Sequence, residues 1–127
     1  MGYIDNIEEK TLGNDSFRKV LYTGKHMQLV VMCLKASEDI GEEVHDSVDQ
    51  FFRVEQGEAK FVIDGVESIV GEEMVAIVPA GSIHNVINTS DSADLKLYTI
   101  YSPANHPEGT VHPTKEDAMK AEEEHNQ

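Results

Sequence analysis

Tryptophan is absent from this 127-residue chain, and cysteine occurs once. The lone cysteine, Cys33, excludes an internal disulfide. It sits inside an apolar stretch and reads as a small buried hydrophobe rather than a catalytic thiol. No apolar run reaches the length of a membrane-spanning helix; the longest are strand-sized. The opening residues, Met1-Gly-Tyr-Ile-Asp-Asn-Ile-Glu-Glu, lack the basic and apolar regions of a secretion signal, so the expected compartment is the cytoplasm. Basic residues are also scarce, 10 against 24 acidic, for a formal net charge of −14. Such a surface repels phosphate backbones and anionic lipid headgroups, which argues against nucleic acid and membrane as partners. The acidity reads as a solubility device, although one buried Arg or Lys can outweigh the global field locally. What the chain does have is enough apolar content, 39%, for one core, and nothing divides it. A single domain over 1–127 is expected.

From about residue 18 to 101 the pattern is one of short β-rich runs bounded by Gly, Asp, Asn, Ser or Pro. They are Val20–Tyr22, Met27–Leu34, Gln50–Glu55, Ala59–Ile63, Met74–Val78, Asn85–Asn88 and Leu95–Tyr101. Asp64-Gly65, between Ile63 and Val66, has the chemistry of a type I′ hairpin turn. Turns are also expected at Gln56-Gly57 and at Pro79-Ala-Gly81. Strands at spacings of roughly 8–12 residues predict an all-β antiparallel sandwich or barrel. Residues 102–113, with Pro103, Pro107, Pro113 and Gly109, read as an ordered, lid-like loop. Thr114-Lys-Glu-Asp117 then opens a helix that runs to about His125, with Thr114 as cap and Asp117 reaching back. Its apolar residues, Ala118, Met119 and Ala121, make a face too thin for a core element, so the helix is expected at the periphery.

Two stretches carry the chemistry: Glu43-Val44-His45 followed by Gln50, and Pro79-Ala-Gly81-Ser-Ile-His84-Asn-Val-Ile-Asn88. Both read as strand. Positions two apart on a strand face the same way, so Glu43 pairs in direction with His45, Gln50 with Phe52 and Val54, and His84 with Val86 and Asn88. If Phe52, Val54 and Val86 point inward, then one carboxylate, two imidazoles and one amide converge on an otherwise apolar interior. Buried without partners these groups are costly, and a divalent cation removes the cost. Any one of these histidines taken alone reads more readily as a surface or hydrogen-bonded residue; it is their joint parity that points to a metal.

The second stretch fits Pro-x-Gly-x-x-His-x-x-x-Asn, and over Ile40 to Ile100 the chain resembles the cupin superfamily. That family's first motif runs Gly, five residues, His-x-His, three or four residues, Glu, six residues, Gly. With the closing Gly on Gly57, Gln50 falls at the Glu position, His45 at the second His, Glu43 at the first, and Ser37 where the opening Gly would be. Gly71 stands seven residues before Pro79 rather than five. The resemblance implies a jelly-roll barrel, a homodimer that covers sheet edges, and Glu43, His45, Gln50 and His84 as the ligands of one divalent transition metal, Zn, Fe, Mn or Ni. Relative to the family the carboxylate has moved from the Gln50 position to the Glu43 position and one imidazole is lost. Two His and one carboxylate are the ligand types of the non-haem iron triad, and zinc with open positions is equally allowed.

The function expected from this resemblance is a metal-dependent isomerase or hydrolase-type enzyme on a small polar metabolite. Sugar isomerase-like cupins are the nearest analogy, and a carboxylate or imidazole among Glu43, His45 and His84 would move a proton. An iron-dependent dioxygenase and a non-catalytic ligand-binding barrel are the alternatives. Other polar residues read more simply. His106 and His112 suit turn or surface roles more than a place at the pocket mouth. Tyr98 and Tyr101 lie on opposite faces, so at most one lines the interior. Arg53 has the parity of a surface residue, and Ser47 and Ser82 lack a base at predictable spacing.

Overall fold

A computed structural model of the chain describes residues 2–125; Met1 and residues 126–127, the ends of the expected domain, lie outside the described residues. After helix α1 (Ile7–Leu12) come strands β1 (Arg18–Thr23), β2 (Gln28–Leu34), β3 (Asp49–Gln56), β4 (Ala59–Ile63), β5 (Val66–Val70), β6 (Val75–Val78), β7 (His84–Asn88), β8 (Leu95–Ser102) and β9 (Val111–His112), then helix α2 (Lys115–His125). The strands form two antiparallel sheets, one of order β6-β3-β8-β2-β1-β9 and one of order β5-β4-β7. This is the all-β jelly roll with a short C-terminal helix.

Alternation builds the core. Val30, Met32 and Leu34 of β2, Phe52 and Val54 of β3, and Leu95 and Leu97 of β8 turn inward from the large sheet, while Ala59, Phe61, Val70 and Val86 answer from the small one. Phe52 and Phe61 meet edge to face, with ring centroids 5.0 Å apart. Full burial of each such ring is worth roughly 1.5–3 kcal/mol. The Asp64-Gly65 turn joins β4 to β5 with φ of 49° and 82°, the positive pair that a type I′ hairpin needs. Ser37, at the place of the family's opening glycine, has φ 62°.

Asn88, the last residue of the second motif, is a structural lock. Its Nδ2 donates to the carbonyls of Leu34 and Lys35, both at 3.1 Å, and of Ala93 at 2.8 Å, while its Oδ1 accepts from Ser90 N at 3.0 Å. Asn88→Leu keeps a similar volume but strips a partner from the buried Leu34 carbonyl and from the part-buried bonds to Lys35 and Ala93. It should lower stability by about 3 kcal/mol, or roughly 10 °C in Tm, measured by thermal denaturation; an unchanged Tm would refute this role.

Several expectations from the sequence are modified. Glu43 and His45 lie outside any strand: Glu43 forms only an isolated bridge to His84, with reciprocal N–H to carbonyl bonds of 2.8 Å, in a segment that turns at Gly41 (φ 89°). The 102–113 segment is more than a loop, because β9 adds to the sheet edge through Arg18↔His112 and Lys19↔Val111. Helix α1 was not anticipated, although Asn6 caps it by accepting from Glu9 N at 3.0 Å. Helix α2 begins as expected, with Thr114 Oγ1 accepting from Asp117 N and Asp117 Oδ2 accepting from Thr114 N. Only Ala118 is buried on it among the described side chains, and Lys115 Nζ ties it to Asp39 at 2.6 Å. Cys33 is buried, and burial pushes its thiol pKa up, as suits an inert packing residue.

Candidate metal centre

One end of the interior is polar, and register explains why. Gln50 of β3 and Gln28 of β2 both pair with Tyr101 of β8, so three inward polar side chains form one row across the large sheet. Opposite them, β7 turns His84 inward beside Val86, and the bridge to Glu43 draws the 43–45 segment against it. The structure thereby brings together Glu43, His45, Gln50 and His84. One ligand atom each from Glu43, His45 and His84 fall within 4.8 Å of one another. Glu43 Oε2 and His45 Nε2 face each other at 3.1 Å. Donors bound to one ion at about 2.1 Å with tetrahedral or octahedral angles stand about 3.0–3.4 Å apart, so this pair already has the edge length of a coordination shell.

The hydrogen bonds around the cluster leave the right atoms bare. His84 Nδ1 lies 3.2 Å from the Ser82 carbonyl, which can only accept, so Nδ1 carries the proton and Nε2 keeps its lone pair. That Nε2 is buried and has no partner. Gln50 donates from Nε2 to Thr99 Oγ1 at 2.9 Å, which turns its Oε1 the other way, and that oxygen is also buried without a partner. Two orphaned acceptors beside a carboxylate and a second imidazole form a donor set that a divalent cation satisfies. The residues fit the metal that the resemblance implies.

Behind this cluster lie residues that sequence reasoning did not assign to it. Tyr101 is 1% exposed, its ring 6.0 Å from that of His45, and burial pushes its hydroxyl up to about 12, with the nearby Arg18 charge opposing the shift. Tyr98 is on the other face, against Phe51, as strand parity requires. His106 is half-buried: its Nε2 lies 3.2 Å from Tyr101 Oη, and burial followed by the charge of Arg18 pushes its pKa down to about 3. His112 stands against Arg18, its Nδ1 3.3 Å from Nη1, and is also shifted down, first by burial. Gln28, fully buried, clasps the 102–113 segment: Nε2 donates to His106 O at 2.7 Å and Oε1 accepts from Asn105 N and His106 N at 3.1 and 3.0 Å. Arg53 faces outward and pairs with Glu55 at 2.6 Å. Surface depressions of about 540 Å³ beside α2 and about 430 Å³ beside α1 lie away from this chemistry.

The model of the cupin domain family matches residues 30–101, from β2 to the end of β8, and so spans every one of the four convergent donors. The chain belongs to the cupin family. This cupin is 46% identical over 127 residues to the uncharacterized protein YrkC of Bacillus subtilis, covering 95% of this chain and 68% of that one. It is 44% identical over 113 residues to the uncharacterized protein L612 of Acanthamoeba polyphaga mimivirus, covering 86% and 70%. Among solved structures, BH2720 from Bacillus halodurans superposes with a TM-score of 0.91 at 41% identity, covering 94% of this cupin and 95% of that chain. KdgF from Halomonas superposes at 0.65 with 17% identity, over 69% and 78% of the two chains, and shows the shared fold alone. No helix among the described residues is long and apolar enough to cross a membrane.

Proposed function

We propose that Glu43, His45 and His84, with Gln50 as a weaker fourth donor, hold one divalent transition metal, and that this cupin is a metal-dependent enzyme of the isomerase or hydrolase type acting on a small polar metabolite. The observation that carries the reading is the pair of buried, partnerless acceptors, His84 Nε2 and Gln50 Oε1, beside the Glu43–His45 pair. When bound, the ion would act as a Lewis acid toward a carbonyl or hydroxyl of the substrate. In this reading a carboxylate or imidazole among Glu43, His45 and His84 moves the proton, and Tyr101 Oη and His106 Nε2, 3.2 Å apart, form a fixed polar pair beside them. With its pKa up at about 12, Tyr101 keeps its proton at neutral pH, and with its pKa down at about 3, His106 is neutral, so the Tyr101 hydroxyl donates a hydrogen bond to His106 Nε2. Gln28 holds the His106 backbone in place beside this pair.

The donor types, two imidazoles and one carboxylate, also suit a non-haem iron dioxygenase, which is the second reading. Protein purified without chelator should carry about one divalent transition metal per chain by elemental analysis. Metal well below that level, not restored by soaking, would refute the centre. Oxygen uptake that requires iron would move the assignment to the dioxygenase, whereas turnover supported by zinc, manganese or nickel without oxygen supports the isomerase or hydrolase reading.

A further inference from the structure

The chain has two arginines, and they are held in opposite ways. Arg53 is on the outer face with Glu55 as its counter-ion. Arg18 is 6% exposed, lies on the inward face of β1 opposite Met32, and has no ion pair with any carboxylate among the described residues. Its Nε is buried without an acceptor. Its neighbours carry no formal negative charge to neutralise it: Nη1 meets His112 Nδ1 at 3.3 Å, the Tyr101 hydroxyl is within its reach, and the guanidinium lies over the Phe17 ring at 5.3 Å. In a protein of net charge −14, a buried guanidinium with no carboxylate of its own is an uncompensated cost. It also lies beside the candidate centre: its charge acts on Tyr101, His106 and His112, and the Tyr101 ring, which meets His106 edge to face, stands 6.0 Å from that of His45.

We propose that Arg18 is the anion-binding arm of this interior and takes the carboxylate of a small carboxylic acid, so that the substrate class is a carboxylate-bearing metabolite. The inference rests on the reading of the interior as a substrate site. A carboxylate is favoured over a phosphate by charge. His106 and His112 are both shifted toward their neutral forms, which leaves one guanidinium as the side-chain cation on this flank, matched to a monoanion. The planar fork suits the two oxygens of a carboxylate. His112 can add a hydrogen bond, and β9, which carries it, positions Arg18 from the sheet edge.

The test uses the full chain, with and without added zinc, and three probes: glycolate, its neutral amide glycolamide, and inorganic phosphate. Arginine Nε–H signals in NMR number two, and Arg53→Lys identifies the one that belongs to Arg18. Glycolate should shift the Arg18 signal and leave that of Arg53 in place, and by calorimetry it should bind at least tenfold tighter than glycolamide. Arg18→Gln should remove that preference while leaving the zinc titration unchanged. The NMR arm needs no change at Arg18, so it decides the question even if Arg18→Gln does not fold. The inference is overturned if glycolate leaves the Arg18 signal unmoved, if folded Arg18→Gln keeps the preference, or if phosphate binds more tightly than glycolate. Failure of zinc to bind, with the glycolate response intact in the metal-free protein, would instead sink the metal centre and leave the anion site standing.

Discussion

His84→Ala should abolish metal binding, with a loss exceeding the roughly 10–100-fold that removal of an outer-shell partner of a ligand costs. The reason lies in how the imidazole is held. The Ser82 carbonyl fixes the Nδ1–H tautomer, the ring packs 6.3 Å from Phe52, and the Nε2 lone pair is aimed at the cluster before any ion arrives. Among the described residues the cluster holds no replacement, because its remaining strong donors are one carboxylate and one imidazole. His45→Ala should be comparably damaging. Gln50→Ala should cost much less, since an amide oxygen is a weak donor. Metal titration into the metal-free protein reads the affinities. Thermal denaturation gives an independent reading, because an ion present at 1,000 times its Kd stabilises a fold by about 4.1 kcal/mol. That gain should be present in the native chain and absent in His84→Ala. His84→Gln, closer in volume, separates loss of the ligand from loss of packing. Should Gln50→Ala prove as damaging as His84→Ala, the amide is a principal ligand and the ranking of donors is wrong.

Strand parity was the strongest signal in the sequence, and its reach can be traced residue by residue. It turned Gln50 inward with Phe52 and Val54, and His84 inward with Val86, where the structure has them. The same rule applied to Gln28 beside Val30 and Met32, or to Arg18 beside Val20, points both inward, yet neither belongs to a motif that draws attention to it. Their roles depend on contacts far along the chain: Gln28 binds the backbone of His106, and Arg18 meets His112 only because β9 closes on β1. For the same reason the burial of His106 was not legible in a proline-rich stretch that reads as surface. Glu43 and His45 share a direction without being in a strand, because an isolated bridge to His84 leaves the backbone extended at that point. Helix α1 left a weak trace: its six residues are mostly polar, and the Asn6-to-Glu9 spacing is its main sequence mark.

The carboxylate at Glu43 leads to the second large effect. Glu43→Gln should lower metal affinity by at least tenfold, because it removes the anionic ligand that offsets part of a double positive charge in a poorly solvated interior. Gln50→Glu should not lower it. Gln50 Oε1 already faces the cluster, and the oxygen that replaces Nε2 meets Thr99 Oγ1, now at 2.9 Å, whose hydroxyl can rotate from accepting to donating. What Gln50→Glu should do is destabilise the metal-free state, since two carboxylates then share the site without a cation between them. Its melting temperature should fall below the native value without metal and recover with it, so that the metal-induced rise is larger than in the native chain. Combining Glu43→His with Gln50→Glu restores the three-histidine, one-glutamate set of the family motif and should bind metal at least as well as the native chain. Titration of zinc into the three metal-free variants, with melting curves at each end point, separates these outcomes. If Glu43→Gln binds as tightly as the native protein, Glu43 is not a ligand, its 3.1 Å contact with His45 is an ordinary hydrogen bond, and the site lacks the negative charge on which a two-histidine, one-carboxylate centre depends.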